Sequence, residues 1–265
     1  EVNGLTSSIA RMNLYLNGVE DFSIACADTL ENPAFLDGSH LRKFDIVLAN
    51  PPYSIKEWNR EKFMNDKWGR NFLGTPSQGR ADYAFIQHIL ASMNDENGRC
   101  AILLPHGILF RNEEKEVRTN LVKSDLLEAV IGLGPNLFYN APMEACILFC
   151  NKNKDRERKN RITFINAVKE VTRKNAESYL EQHHIEKILH AFHSQEDIEQ
   201  FKLSISTDDI ANKDFDLSIQ KYVFIKDAEV EEISFSSAIS RWLNSQKEVH
   251  VQYITLMDLL SNDKI

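Results

Sequence analysis

No apolar run in this sequence approaches the ~18 residues that a membrane-spanning helix needs, so no membrane is expected among its partners. The opening residues Glu1-Val2-Asn3-Gly4 carry none of the basic and apolar character of a secretory leader. Cysteine is scarce. The four that occur, Cys26, Cys100, Cys146 and Cys150, each sit in an apolar stretch that reads as a strand, which predicts buried reduced thiols and a cytoplasmic setting. Cys146 and Cys150 are spaced as metal ligands could be, but no His or Cys pair follows at finger spacing, so no structural zinc is expected. A basic stripe is also missing. With 31 Lys and Arg against 39 Asp and Glu, the net charge of -8 argues against a stand-alone nucleic-acid binder. One dense basic run exists, Lys152, Lys154, Arg156, Arg158, Lys159 and Arg161, and its interruption by Asp155 and Glu157 makes it read as a solvated loop. If the protein acts on DNA, other chains are expected to supply much of the grip. Repeats and low-complexity tracts are absent.

What is present fits a globular enzyme. A length of 265 residues suits one large α/β domain with a smaller appendage, and 43% hydrophobic with 26% charged residues is ordinary for a soluble fold. Leu5, Ile9, Met12 and Leu16 recur at helical spacing before Gly18. Residues 22–27 and 44–49 read as short strands. Residues 82–93 and 113–122 read as helices, and 100–104, 127–133, 145–150 and 162–165 as further strands. Strands alternating with helices predict a mostly parallel sheet with right-handed crossovers. Residues 54–80, which hold Trp58, Trp68, Gly69, Gly74 and Gly79, read as a long loop, and long loops within compact domains are often functional. After about residue 168 the character changes. A helix over 178–192 carries His183, His184 and His190, read as solvated, and a charged tail includes a further helix near 236–243. This gives two regions, a catalytic α/β domain over 1–168 and an appended, mostly helical, subunit-contacting region over 169–265.

The sharpest motif is Asn50-Pro51-Pro52-Tyr53, directly after the apolar strand Ile46-Val47-Leu48-Ala49. Ligands of open α/β sheets bind at the carboxyl ends of strands, which aims the Asn50 amide at a site. Pro51 biases Asn50 toward extended geometry, and the two fixed proline φ angles stiffen the turn. Neither proline has an N–H, so the turn offers carbonyl oxygens alone. An exocyclic amino group suits that environment: the Asn50 side-chain oxygen and the Pro51 carbonyl can accept its two hydrogens. The nitrogen is thereby drawn toward tetrahedral geometry, which frees its lone pair for attack on a methyl sulfonium. Tyr53 can stack on the same ring, as an extruded base requires. Catalysis of this kind is mostly positioning.

On these residues the sequence resembles the amino-methyltransferases with the Asn-Pro-Pro-Tyr signature, most closely the modification subunits of type I restriction–modification systems, which methylate adenine N6 in DNA. Supporting stretches are residues 5–17 followed by Ala27-Asp28-Thr29-Leu30, then 44–53, 98–110, Glu116-Val117-Arg118, 129–133 with Asn136-Leu137-Phe138-Tyr139, and in the tail Asp216-Leu217-Ser218-Ile219 with Lys221-Tyr222-Val223. The resemblance implies a Rossmann-like sheet and S-adenosylmethionine as cofactor, with no metal. It implies catalytic roles for Asn50, Pro51, Pro52 and Tyr53, and cofactor contacts from Glu1 (ribose), Asp28 (adenine), Asn50 and Asp82. Base stacking by Tyr53 and Phe138 is implied too, with Tyr139 a weaker alternative. It further implies a specificity subunit that reads DNA and a restriction subunit that cuts it. One departure stands out: no Gly-rich turn of the kind that approaches the cofactor's methionine part precedes residue 1, so the sheet is expected to be incomplete at its N-terminus. Gly132-Leu133-Gly134 follows a late strand and opens no helix, and is no substitute. Two other readings remain open: methylation of a glutamine side chain or of RNA adenine, and a non-catalytic scaffold subunit of a restriction complex.

Overall fold

The computed structural model describes residues 1–138, 143–174 and 177–224, with isolated positions beyond. Residues 1–224 form one compact unit, and 225–265 a second one. Of the helix expected near 236–243, the described positions Ile239, Trp242 and Leu243 are helical; the others, like Tyr139, lie outside the described residues.

Within the first unit the chain runs α1 (Gly4–Leu16), the small hairpin β1 (Leu36–Asp37) and β2 (His40–Leu41), then β3 (Ile46–Ala49). There follow α2 (Arg60–Met64), α3 (Asp82–Ser92), β4 (Arg99–Pro105), α4 (Lys115–Lys123), β5 (Leu127–Leu133), β6 (Ala145–Asn151) and β7 (Arg161–Ala167). A second hairpin, β8 (Thr172–Lys174) and β9 (Glu177–Tyr179), leads to α5 (Gln182–His193), β10 (Lys202–Ser206) and α6 (Thr207–Ala211). The main sheet has the order β10-β7-β5-β6-β4-β3. β3, β4, β5 and β7 run in one direction, and β6 and β10 run against them.

The continuous apolar runs become the strands buried on both faces. Every residue of β5 is buried, with α3 and α4 packed over one side of the sheet and α5 over the other. The first layer joins Ile86, Leu90, Leu121 and Val122 to Ile102, Leu104, Val130 and Leu148; the second joins Ile188 and Ala191 to Ile131, Leu133 and Ile165. Asn3 caps α1 by accepting from the Leu5 and Thr6 amides.

The sheet is mixed, with three of its five pairings antiparallel, rather than mostly parallel, and four further expectations need correction. Residues 22–27 form no strand; the segment runs beside the first residues, held by the Ala27 amide donating to the Glu1 carbonyl, too few bonds for a ladder. Cys26 is exposed, whereas Cys100, Cys146 and Cys150 are buried thiols. His184 is not solvated: it is buried in a capping box, its Nδ1 accepting from the Glu181 amide. The region after residue 168 is more than an appendage, because β10 adds an edge strand antiparallel to β7. Leu217, Ile219 and Val223 also enter the main core, where the lack of a Cβ at Gly132 leaves room for Ile219: a Cβ there would lie 2.7 Å from Ile219 Cδ1. The core thus continues to about residue 224.

Candidate functional site

Asn50 begins directly where β3 ends, at the carboxyl edge of the four like-directed strands. Asn50, Pro51 and Pro52 line a cleft of about 560 Å³. Its walls include Glu1 and Asp28, the apolar side chains of Ile55, Trp58 and Phe85, and His88. The motif and two of the predicted acids therefore share one cavity. The Glu1 carboxylate accepts from the Asn3 amide at 2.9 Å. Asp28 caps its own turn, its Oδ1 accepting from the Leu30 and Glu31 amides at 2.9 Å each, while the residue stays exposed.

Phe85 and His88 were not singled out from the sequence. The helical period of α3 puts Tyr83, Ile86 and Leu90 in the core and turns Phe85 and His88 to the cleft, with Ile89 reaching both. His88 is kept neutral: burial and the adjacent Arg70 guanidinium lower its pKa to about 4, against a smaller opposing pull from Asp66. With Nδ1 lying 3.3 Å from Arg70 Nη1 and accepting from it, the ring proton sits on Nε2.

Residues 54–80 form an ordered excursion that includes the short helix α2. Trp58 Nε1 donates to the Gln78 carbonyl at 2.8 Å, Arg60 Nε donates to the Pro76 carbonyl at 2.8 Å, and the Ala81 amide donates to the Ile55 carbonyl, which closes the base of the loop. Arg70 anchors it. Its guanidinium pairs with Asp66 at 2.7 Å, donates to the Thr29 and Leu30 carbonyls at 2.9 and 2.7 Å, and lies over the Trp68 ring. This ties the loop to the turn that carries Asp28. The burial of a charge in this way needs that many partners.

Tyr53, Asp82 and Phe138 stand elsewhere; none is among the residues lining the cleft. Tyr53 is half-buried beyond the prolines, its hydroxyl pKa raised by burial and by the nearby Cys146 and Asp82. Cys146 lies at the start of β6, beside the carboxyl end of β4, so the turn has the cleft on one side and Tyr53 on the other. Asp82, expected at the cofactor, is fully buried at the first position of α3 and serves the turn instead. Its Oδ1 accepts from the Ser54 amide at 2.9 Å. Ser54 has φ of 51°, a left-handed conformation that costs a residue with a Cβ roughly 1–2 kcal/mol. The carboxylate offsets that strain by satisfying an amide that the turn would otherwise bury. Phe138, expected to stack on a base, packs against the apolar cluster of Ile131, Leu133 and Ile165. No group of side chains suited to a metal ion occurs among the described residues. No helix among them is long and apolar enough to cross a membrane.

Comparison with known proteins finds relatives among methylase subunits of type I restriction enzymes. The type I restriction enzyme MjaVII methylase subunit of Methanocaldococcus jannaschii is 32% identical, across 94% of this chain and 44% of its own length. The MpnII methylase subunit of Mycoplasma pneumoniae is 32% identical, across 100% of this chain and 50% of its own. The crystal structure of the type I restriction–modification methyltransferase subunit from Streptococcus thermophilus superposes with a TM-score of 0.78 at 36% identity, over 85% of this chain and 48% of that one. The chain spans about half the length of the curated relatives it matches. The family model described as N-6 DNA Methylase matches residues 1–231, and the chain belongs to that family.

Proposed function

We propose that the protein transfers the methyl group of S-adenosylmethionine to the N6 amino group of adenine in DNA, as the modification subunit of a type I restriction–modification complex. The observation that carries this reading is the placement of Asn50-Pro51-Pro52 at the end of β3 and in the wall of a 560 Å³ cleft that is also lined by Glu1 and Asp28. The cleft suits a nucleoside cofactor: Ile55, Trp58 and Phe85 offer apolar surface, while Glu1 and Asp28 offer acceptors for hydroxyl and amino groups. Glu1, Asp28 and Asn50 would hold S-adenosylmethionine, which supplies an electrophilic methyl group on sulfur. Asp82, committed to Ser54, is not part of that set.

Asn50 Oδ1 and the Pro51 carbonyl accept the two hydrogens of the adenine amine. They turn its lone pair toward the cleft and withhold any competing donor, since neither proline has an N–H. Tyr53, on the far side of the turn, receives the face of the extruded ring. The amine needs no strong base beforehand, because it becomes acidic once methylated; its proton then passes to water. Recognition of the DNA sequence and cleavage of unmodified DNA belong to separate specificity and restriction subunits, in keeping with a net charge of -8 on this chain.

The test is transfer of tritiated methyl from S-adenosylmethionine, catalysed by the full-length protein with its accompanying subunits, to DNA, RNA and protein in parallel. Label should enter DNA as N6-methyladenine and fall to background in Asn50→Ala with the fold intact. Undiminished transfer by that variant removes Asn50 from the chemistry. Label in RNA or protein alone redirects the reading to those substrates, and no transfer by the wild type leaves a scaffold subunit.

A further inference from the structure

Behind the motif turn lies a buried cluster of charge that the proposed chemistry does not use. Asp82, which holds the Ser54 amide, is fully buried, so its negative charge must be matched within the protein. Arg111 Nη1 supplies the match at 3.6 Å from Asp82 Oδ2. The same nitrogen lies 3.7 Å from Oε2 of Glu114, which is also fully buried. One cation therefore stands between two carboxylates, at distances longer than a hydrogen bond to either. Both Glu114 oxygens and Arg111 Nη1 lack a hydrogen-bond partner among the described residues.

The surroundings hold Arg111 in this place. Arg118 Nη1 donates to the Arg111 carbonyl at 2.8 Å. Gly107 leaves the space that the guanidinium fills: a Cβ there would come within 2.6 Å of Arg111 Nη2. On the turn side, Arg80 Nη1 donates to Ser54 Oγ at 3.0 Å, so Ser54 is gripped at its amide by Asp82 and at its hydroxyl by Arg80. A stabilising ion pair would close to hydrogen-bond distance and satisfy its oxygens. This cluster does neither. Burial raises the Glu114 pKa to about 7 even with Arg111 beside it, so the ionised carboxylate is held at a cost to stability. Groups retained at such a cost are concentrated at functional sites.

We propose that Glu114 is a positioning residue for methyl transfer: it draws Arg111 partly away from Asp82 and so leaves Asp82 free to fix Ser54 and, through it, the Asn50–Tyr53 turn. This inference rests on the methyltransferase reading for its catalytic consequence. Its structural consequence, a fixed turn, stands apart from activity.

Glu114→Gln in the full-length protein tests both. The variant keeps the shape and removes the charge, so Arg111 can close on Asp82 and loosen the grip on Ser54. The methyl-transfer kcat should fall about tenfold, while the cofactor Kd stays within twofold. Amide hydrogen exchange over residues 53–55 should quicken, and the urea midpoint at pH 8 should stay level or rise. Gly107→Ala, which pushes the guanidinium without altering charge, should also quicken exchange at 53–55, and Arg111→Lys should retain more activity than Arg111→Met. A merely structural role would lower stability and rate together. Unchanged exchange at 53–55, a rate within twofold of wild type, or a midpoint lowered along with the rate each overturns the proposal. Because exchange is read without substrate, an inactive wild type would refute the methyltransferase reading while the exchange result still decides whether the cluster fixes the turn.

Discussion

Two buried charge clusters occupy opposite ends of the same sheet and are built in opposite ways. At the amino end of β5, Glu128 pairs with Arg158 at 2.7 Å and accepts from Asn151 Nδ2 at 2.7 Å. Next to it Lys154 Nζ meets Asp125 at 2.6 Å and donates to the Leu127 and Arg161 carbonyls. Every contact there is within hydrogen-bond distance, the longest 3.1 Å. At the carboxyl end, behind the motif turn, Asp82, Arg111 and Glu114 stand 3.6 and 3.7 Å apart, with oxygens and a guanidinium nitrogen unpaired. The carboxyl end buries its carboxylates more completely, yet hydrogen-bond satisfaction runs the other way. The difference separates charge that holds the sheet together from charge that holds a turn in tension.

The largest effect should come from breaking the satisfied end. Glu128→Ala strands the Arg158 guanidinium, and loss of one partner of a buried, hydrogen-bonded pair costs about 3–5 kcal/mol. Urea unfolding should show that loss with no change in the slope of the transition. A loss under about 1 kcal/mol would erase the contrast between the two ends.

Next comes pH, through two groups flanking the site with opposite signs. Glu114 has a folded pKa of about 7 against an ordinary 4.5, set by burial, opposed by Arg111, Arg80 and Arg118 and reinforced by Asp82. The folded state therefore binds the extra proton, and stability is lost as pH rises from 4.5 through 7. His88 has a folded pKa of about 4 against 6.5, so the unfolded state binds the proton and stability is lost as pH falls from 6.5 through 4. Each shift corresponds to roughly 3 kcal/mol at most. Between pH 4.5 and 6.5 the two slopes oppose, and the wild-type profile should be flat there in so far as these groups govern it. Glu114→Gln should expose a profile that rises with pH, and His88→Asn one that falls. Parallel profiles for the two variants would contradict the assignment.

Much of this could be read from the residues alone. β4 and β5 announced themselves as unbroken apolar runs, and Asn50-Pro51-Pro52 after β3 marked both the end of a strand and the rim of a cleft. What escaped was long-range. The alternation in Lys-Leu-Ser-Ile-Ser does not say which sheet β10 joins; its pairing with β7 is settled by contacts some forty residues away in sequence. Arg111 and Glu114 lie about sixty residues from the turn they support, in the charged run Arg111-Asn112-Glu113-Glu114-Lys115, whose local pattern looks like that of a solvent-facing turn. Asp82 was legible as an acid at a helix start, but which amide it serves depends on where the loop over 54–80 closes.

Gly132→Ala probes the seam where the late segment joins the core. Its new Cβ would press on Ile219 Cδ1, and overpacking of this kind costs about 1–3 kcal/mol. The same variant with Ile219→Val should recover part of that loss in a double-mutant cycle. Simple additivity would mean that Ile219 does not fill the space beside Gly132.

The smallest effect belongs to the exposed charges, and it calibrates the rest. Lys43 lies 3.0 Å from Asp95 and Lys152 3.7 Å from it, and together they lower the Asp95 pKa although its side chain is 69% exposed. By proximity alone this pair rivals Lys154 with Asp125. Solvent screening and the entropy of ordering long side chains cut such contacts to well under about 1 kcal/mol. Asp95→Asn should therefore shift the urea midpoint barely at all, and the small shift should vanish as salt is raised. A loss comparable to that of Glu128→Ala would mean that distance, rather than burial with full hydrogen bonding, sets the worth of a charge pair in this fold. The distinction between the two ends of the sheet would then lose its physical basis.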